Sequence, residues 1–161
     1  MSLIMNARLK YLSILRPSIC KTAGTTSSKE RIRRCIADWI LYREYWDKDD
    51  NLDTFSQRTG IPREEITSFL YDHTGGRYLS IRKELRIEDA KSLIRERPDL
   101  SVYEIAKMVG IYDKSNFRKD FTELVGYKPK LWKECGGRRW KCFIASQDKD
   151  RNRCSSPRKS S

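Results

Sequence analysis

Residues 101–126 read S-V-Y-E-I-A-K-M-V-G-I-Y-D-K-S-N-F-R-K-D-F-T-E-L-V-G. Ser101 and Glu104 stand at capping-box spacing, ahead of the apolar Ile105, Ala106 and Val109. Gly110 breaks this first helix. Phe117, Phe121 and Leu124 then mark a second amphipathic helix, which Gly126 closes with a backbone conformation that glycine adopts without a Cβ clash. A short helix, a tight glycine turn and a second amphipathic helix make a helix-turn-helix.

Upstream, the same plan recurs over residues 51–76. Asn51 is a candidate N-cap for a short helix that carries Leu52 and Phe55. Gly60-Ile61-Pro62 breaks it. A further helix carries Ile66, Phe69 and Leu70 inward, and Gly75-Gly76 ends it. The interval from turn glycine to capping glycine is nearly equal in the two units, Gly60 to Gly75 and Gly110 to Gly126. Between them, residues 80–96 form the longest unbroken helical stretch, with Ile81, Leu85, Ala90, Leu93 and Ile94 apolar and Pro98 as its stop. Ahead of the first unit, Ile32, Ile36, Trp39 and Ile40 lay an apolar stripe on one helical face. After the second, Pro129 suits the first position of a last short helix. No strand pattern is present over 29–135. The expected fold is all-α: two helix-turn-helix subdomains of homeodomain-like build, joined by a long connecting helix and flanked by flexible tails.

Three segments are therefore expected. Residues 1–28 are an N-terminal extension, with Thr22–Ser28 as a polar linker; 29–135 are the double helix-turn-helix domain; 136–161 are a disordered basic tail. The N-terminal 18 residues mix Leu and Ile with Arg8, Lys10 and Arg16. Their charges sit inside the apolar stretch, which argues against a secretory signal. No run of about 18 apolar residues is present to span a membrane.

The chain of 161 residues is 38% hydrophobic, enough for a small core, and carries a net charge of +12, which suggests a polyanionic partner. The excess is not in the domain. Residues 29–135 hold 22 basic and 20 acidic residues, whereas residues 1–28 contribute +4 and residues 136–161 contribute +6. The pattern inside the domain must carry the case for DNA, and the tail is expected to add affinity without base selectivity.

Enzyme classes find little support. There is no glycine-rich phosphate loop, no G-x-S-x-G and no H-E-x-x-H, and His73 is the only histidine. The five cysteines (Cys20, Cys35, Cys135, Cys142 and Cys154) include no C-x-x-C pair. Reduced thiols are expected, and neither a metal site nor a cofactor.

The stretches L-R-I-E-D-A-K-S-L-I (85–94), S-V-Y-E-I-A-K-M-V-G (101–110) and F-R-K-D-F-T-E-L-V-G-Y-K-P (117–129) resemble the AraC/XylS family of transcription regulators. The resemblance covers residues 50–133 and extends upstream to Trp39. Departures are Ile111 in place of an aromatic, Lys128 in place of Thr, and Ser56 and Thr59 where the family has Ala and Leu. The resemblance implies that the connecting helix holds two recognition helices on one side of the protein, where they enter successive major-groove segments roughly 34 Å apart.

The positions matching base-facing residues are Lys114, Ser115, Arg118 and Lys119, with Asn116 beside them, in the second unit. In the first unit they are Arg63, Glu64, Thr67 and Ser68. Arg and Lys suit guanine O6 and N7, and Glu64 can accept from cytosine N4 but repels phosphate. Ser101, Lys128 and Lys130 are the expected phosphate contacts. Residues 51–76 carry a net charge of −2 and residues 101–135 a net of +2, so the second unit should supply more of the affinity.

Trp39, Phe117, Phe121 and Trp132 are spaced as core rather than base-stacking residues. Arg86, set among apolar neighbours, is expected to form a structural ion pair. The implied partner is double-stranded DNA, with RNA polymerase a second candidate. The implied setting is a bacterial cytoplasm, at the nucleoid, and the expected state is a monomer unless the chain is part of a longer regulator. The competing reading is an interaction module that keeps this fold without specific DNA binding; the acidic first unit is its best support.

Overall fold

A computed structural model describes residues 7–15 and 27–138, together with 141 and 143. The described residues form eight α-helices and one 3-10 turn, with no strand: α1 (Ala7–Ile14), α2 (Ser28–Leu41), the 3-10 turn Glu44–Trp46, α3 (Leu52–Thr59), α4 (Arg63–Thr74), α5 (Tyr78–Glu96), α6 (Val102–Met108), α7 (Lys114–Val125) and α8 (Pro129–Glu134). The first helix-turn-helix is α3–α4, the second α6–α7, and α5 connects them.

The apolar residues of α5 divide between two cores. Tyr78, Ile81 and Leu85 join a first core with Trp39, Tyr45, Phe55, Ile66 and Leu70. From two residues further on, and from the other side of the helix, Ile87, Ala90 and Ile94 join a second core with Ile105, Val109, Phe117, Phe121 and Trp132. A helix that is apolar on two faces along its length can serve two cores at once, so neither unit needs a broad interface with the other.

Both expected N-caps form. The Asn51 side chain accepts from the N–H groups of Asp53 and Thr54, and Thr54 Oγ1 accepts in return from Asn51 N–H. Ser101 Oγ accepts from Glu104 N–H at 3.2 Å while Glu104 accepts from Ser101 N–H at 2.7 Å. The unusual polar residues of the first unit are satisfied locally: Ser56 donates to the Ile61 carbonyl at 2.6 Å and Thr59 to that of Phe55 at 2.8 Å. Hydroxyls at these positions thus cost little, because each finds a carbonyl within the unit.

Several expectations need correction. Part of the stretch read as an extension, residues 7–14, is a helix with a docking site. Its Ala7 and Tyr11, and Leu15 after it, are buried in the first core. Tyr11 donates to Glu84 of α5 at 2.5 Å, Lys10 pairs with the same carboxylate at 3.1 Å, and Arg8 donates to the carbonyls of Ile40 and Leu41 that end α2. Residues 22–26 of the expected linker lie outside the described residues, as does most of the expected tail.

Helix α5 begins at Tyr78 rather than Ser80, since Arg77 is extended and serves as its N-cap. In α7 it is Val125 that is buried and Leu124 that is exposed, because Val125 continues the i, i+4 row from Phe117 and Phe121. Arg86 is structural, as expected, but it is bound by carbonyls and not by a carboxylate.

Two buried carboxylates organise the entrance to the first unit. Asp50 accepts from Trp39 Nε1 at 3.1 Å and from the Tyr78 hydroxyl at 2.8 Å, and it pairs with Arg82 at 3.2 Å. Asp89 of α5 accepts from the Tyr45 hydroxyl at 2.5 Å and from Trp46 Nε1 at 2.9 Å. Burial, followed by the Asp89 carboxylate, pushes the Tyr45 phenol well above its ordinary range, so it donates at all physiological pH. The chain reaches this arrangement through Arg43, which is left-handed (φ 56°) and turns the backbone from α2 into the 3-10 segment.

Candidate nucleic-acid interface

Helix α7 presents its cations because its apolar row is fully used. Phe117 and Phe121 are buried against α5, α6 and α8, which leaves Lys114, Ser115, Asn116, Arg118 and Lys119 exposed. Asp113 caps the helix by accepting from Asn116 N–H at 2.6 Å. Beside the head of α7 lies a concavity of about 480 Å³ lined by Val102, Tyr103, Lys114, Phe117, Arg118, Lys128, Pro129 and Lys130. Four cations thus share a rim, and no carboxylate lines it.

The concavity joins candidates from separate parts of the chain. Lys114 and Arg118 come from the recognition helix. Lys128 and Lys130, expected phosphate contacts, come from the entrance to α8, where Pro129 fixes the first turn. Ser115 and Lys119 project elsewhere on the exposed side of the same helix. Asn116 faces the cleft toward α5, with Arg82, Lys83 and Asp120. Ser101 is exposed, but its hydroxyl is engaged as the cap of α6 and it lies outside the concavity.

A residue missed by sequence reading lies under this group. Lys114 Nζ sits 4.3 Å from the centre of the Tyr103 ring and Lys107 Nζ sits 4.5 Å from it. The Tyr103 hydroxyl donates to the Tyr112 carbonyl across the turn at 3.3 Å. A cation over a ring face is held by the ring quadrupole, so Tyr103 fixes where the Lys114 charge points. No local signal marked it: Tyr103 lies two residues after the cap of α6, and only the fold brings its ring to the head of α7.

The first unit gathers its candidates as well. Arg63, Glu64, Thr67 and Ser68 line one concavity of about 550 Å³ together with Leu52, Tyr71, Gly76 and Arg77. Arg63 is paired with Asp53 at 2.6 Å, so its charge is partly answered within the protein. Tyr71 and Arg77 were not anticipated, though Tyr71 stands at i+4 from Thr67 and i+8 from Arg63 and is 67% exposed. Around the helix, Glu64, Glu65 and Asp72 line a second, acidic hollow against α2. His73 lies in the last turn of α4: its ring stacks on Phe69 and its Nδ1 lies 2.9 Å from the Phe69 carbonyl.

Among the described residues no group of His, Cys, Asp or Glu is arranged to hold a metal ion, and no helix is long and apolar enough to cross a membrane.

Residues 55–134 match the model of a family described as a helix-turn-helix domain. Over these residues the chain carries a double helix-turn-helix domain. Two solved structures share its fold. The C-terminal domain of AraT, a response regulator from Geobacillus stearothermophilus, matches with a TM-score of 0.59 at 17% identity, over 68% of this chain and 88% of that one. The C-terminal domain of the two-component response regulator yesN from Fusobacterium nucleatum matches with a TM-score of 0.56 at 24% identity, over 67% of this chain and 99% of that one. No curated protein matches the chain.

Proposed function

We propose that this protein is a sequence-specific transcription regulator whose helices α4 and α7 read two successive major-groove segments on one face of a duplex. The observation that carries this reading is the cation group at the head of α7: Lys114, Arg118, Lys128 and Lys130 around one concavity, with Ser115 and Lys119 exposed on the same helix. Phosphate contacts from the α8 entrance would fix the register of the helix on the duplex, and the side chains of α7 would read base edges. In the first unit, Arg63, Thr67 and Ser68 supply donors, and Glu64 an acceptor suited to cytosine. Double-stranded DNA is the partner and RNA polymerase the natural second one, in a cytoplasmic setting, with a monomer as the binding species.

The acidic hollow on α4 favours a second reading, in which the first unit contacts a protein and the second alone holds DNA. Selection of bound sites from random duplexes tests the choice. A selected site with two information-bearing segments about one helical turn apart supports the proposal. A site with one segment supports the second reading, and the absence of any selected site contradicts both.

A further inference from the structure

Arg86 lies on α5 at the point where the helix passes from the first core to the second. It is buried, and its guanidinium donates to three carbonyls: Nε to Tyr45 at 2.5 Å, Nη2 to Asp47 at 2.6 Å and Nη1 to Gly110 at 3.0 Å. Two of these belong to the 3-10 turn and to the residue that caps it, ahead of the first unit. The third is the turn glycine of the second. No carboxylate lies within ion-pairing distance of it among the described residues. Burial, and next the neighbouring Arg82, lower its pKa to about 10, which leaves it charged at neutral pH.

Each side of this contact is rigid with its own unit. Tyr45 is buried in the first core and bonded to Asp89, and Asp50, three residues beyond Asp47, ties the segment to Trp39, Tyr78 and Arg82. On the other side, the residues from Gly110 lead directly into α7 at Lys114. Contact here is so close that a Cβ on Gly110 would stand 2.0 Å from the Trp46 carbonyl oxygen and 2.8 Å from Arg86 Nη2. Beyond α5 itself and Trp46, which packs against both cores, the other ties between the halves are more exposed: Lys83 to Asp120 and Glu123 of α7, and Lys48 over the Tyr112 ring. Surface pairs of this kind hold geometry weakly.

We infer that Arg86 is a positioning residue which clamps the turn of the second unit onto the segment preceding the first, and so sets the base-pair spacing that the two recognition helices accept. This rests on the two-segment reading above. A planar guanidinium with donors in three directions can fix three carbonyls at once, whereas a lysine ammonium on a flexible stem cannot hold them in one plane. Loosening the clamp would leave each recognition helix intact and free their mutual register.

The test uses the full chain and duplexes carrying the two segments of a selected site at the original spacing and with one to three base pairs inserted or removed. Wild type should bind with a sharp optimum. Arg86→Lys should keep its affinity for a duplex with the second unit's segment alone, while the ratio of best to neighbouring spacing falls about tenfold, equivalent to about 1.4 kcal/mol. Lys83→Ala should leave the optimum sharp. Trp46→Phe, which removes the indole bond to Asp89 and trims a ring packed against both cores, provides a second perturbation of the same junction should Arg86→Lys melt too low to assay, and should broaden the profile in the same direction. Variants that are folded by thermal melting yet keep the wild-type profile would overturn the inference, leaving Arg86 a stabilising residue only. A wild type that gains nothing from the second segment would instead overturn the two-segment reading itself.

Discussion

In the first unit the core is aromatic and the recognition helix acidic; in the second the core is smaller and the recognition helix basic. Trp39, Tyr45, Phe55 and Tyr78 pack ring against ring in the first, backed by α1 and α2. Its α4 carries Glu64, Glu65 and Asp72, and Arg63 is partnered by Asp53. The second unit has Phe117, Phe121 and Trp132 under a recognition helix whose cations meet no carboxylate in their concavity. Support and charge are thus distributed oppositely. The unit with more scaffolding carries the more acidic helix, so on the proposed function it anchors the domain while the other supplies affinity.

The largest expected effect breaks the two units apart. Phe121 is fully buried in the second core, so Phe121→Ala should cost about 3–5 kcal/mol. Because the cores are separate, hydrogen exchange should accelerate over α6–α8 and remain slow over α2–α4. Equal acceleration in both halves would show one cooperative core where two are described.

The turn glycines sharpen the same contrast. Gly60 and Gly110 are both left-handed, at φ 65° and 79°. A Cβ on Gly60 would meet only Arg31 Nη2 at an ordinary 3.5 Å, whereas on Gly110 it would collide with the Trp46 backbone. Gly60→Ala should therefore cost about 1 kcal/mol, the left-handed penalty alone, and Gly110→Ala roughly 3 kcal/mol. Denaturant midpoints check the difference.

For binding, Arg118→Ala or Lys119→Ala should lose about 1–3 kcal/mol and relax preference at nearby base pairs, while Arg63→Ala, whose side chain already has a partner, should lose less than about 1 kcal/mol. Glu64→Gln should strengthen non-specific binding slightly. Anisotropy titrations at fixed salt on selected and scrambled duplexes measure all four.

The smallest effect concerns the caps. The Asn51–Thr54 box is uncharged. In the other, side-chain and backbone hydrogen bonds from Ser101 hold the Glu104 carboxyl below its ordinary range. A lowered folded pKa means that the cap's contribution is fully present above the unfolded value and is lost as pH falls through the folded one. Acid titration followed by NMR should show α6 fraying at its head before α3 does.

Most of the fold was legible because it is written in local chemistry. Glycine turns, the cap residues Asn51 and Ser101 and the 3.6-residue apolar rows are signals carried by neighbours in sequence. What escaped depends on partners far along the chain. Nothing near Ala7–Ile14 announces that Tyr11 meets Glu84, and nothing near Arg86 distinguishes a carboxylate partner from three carbonyls. At the candidate interface, the residues of α7 were legible from spacing and resemblance. The ring of Tyr103 beneath Lys114 was not, since it comes from another helix, and Tyr71 was passed over although its spacing from Thr67 pointed to it.

If α4 and α7 read one face of the duplex, with α7 contributing more, their contacts fall in two major-groove segments of unequal strength. Methylation interference at guanine N7 on a selected site reports major-groove contacts directly. Two clusters of interfering guanines are expected about one helical turn apart on the same face, stronger in the segment that Arg118→Ala and Lys119→Ala weaken. A single cluster, or two on opposite faces, would contradict that reading.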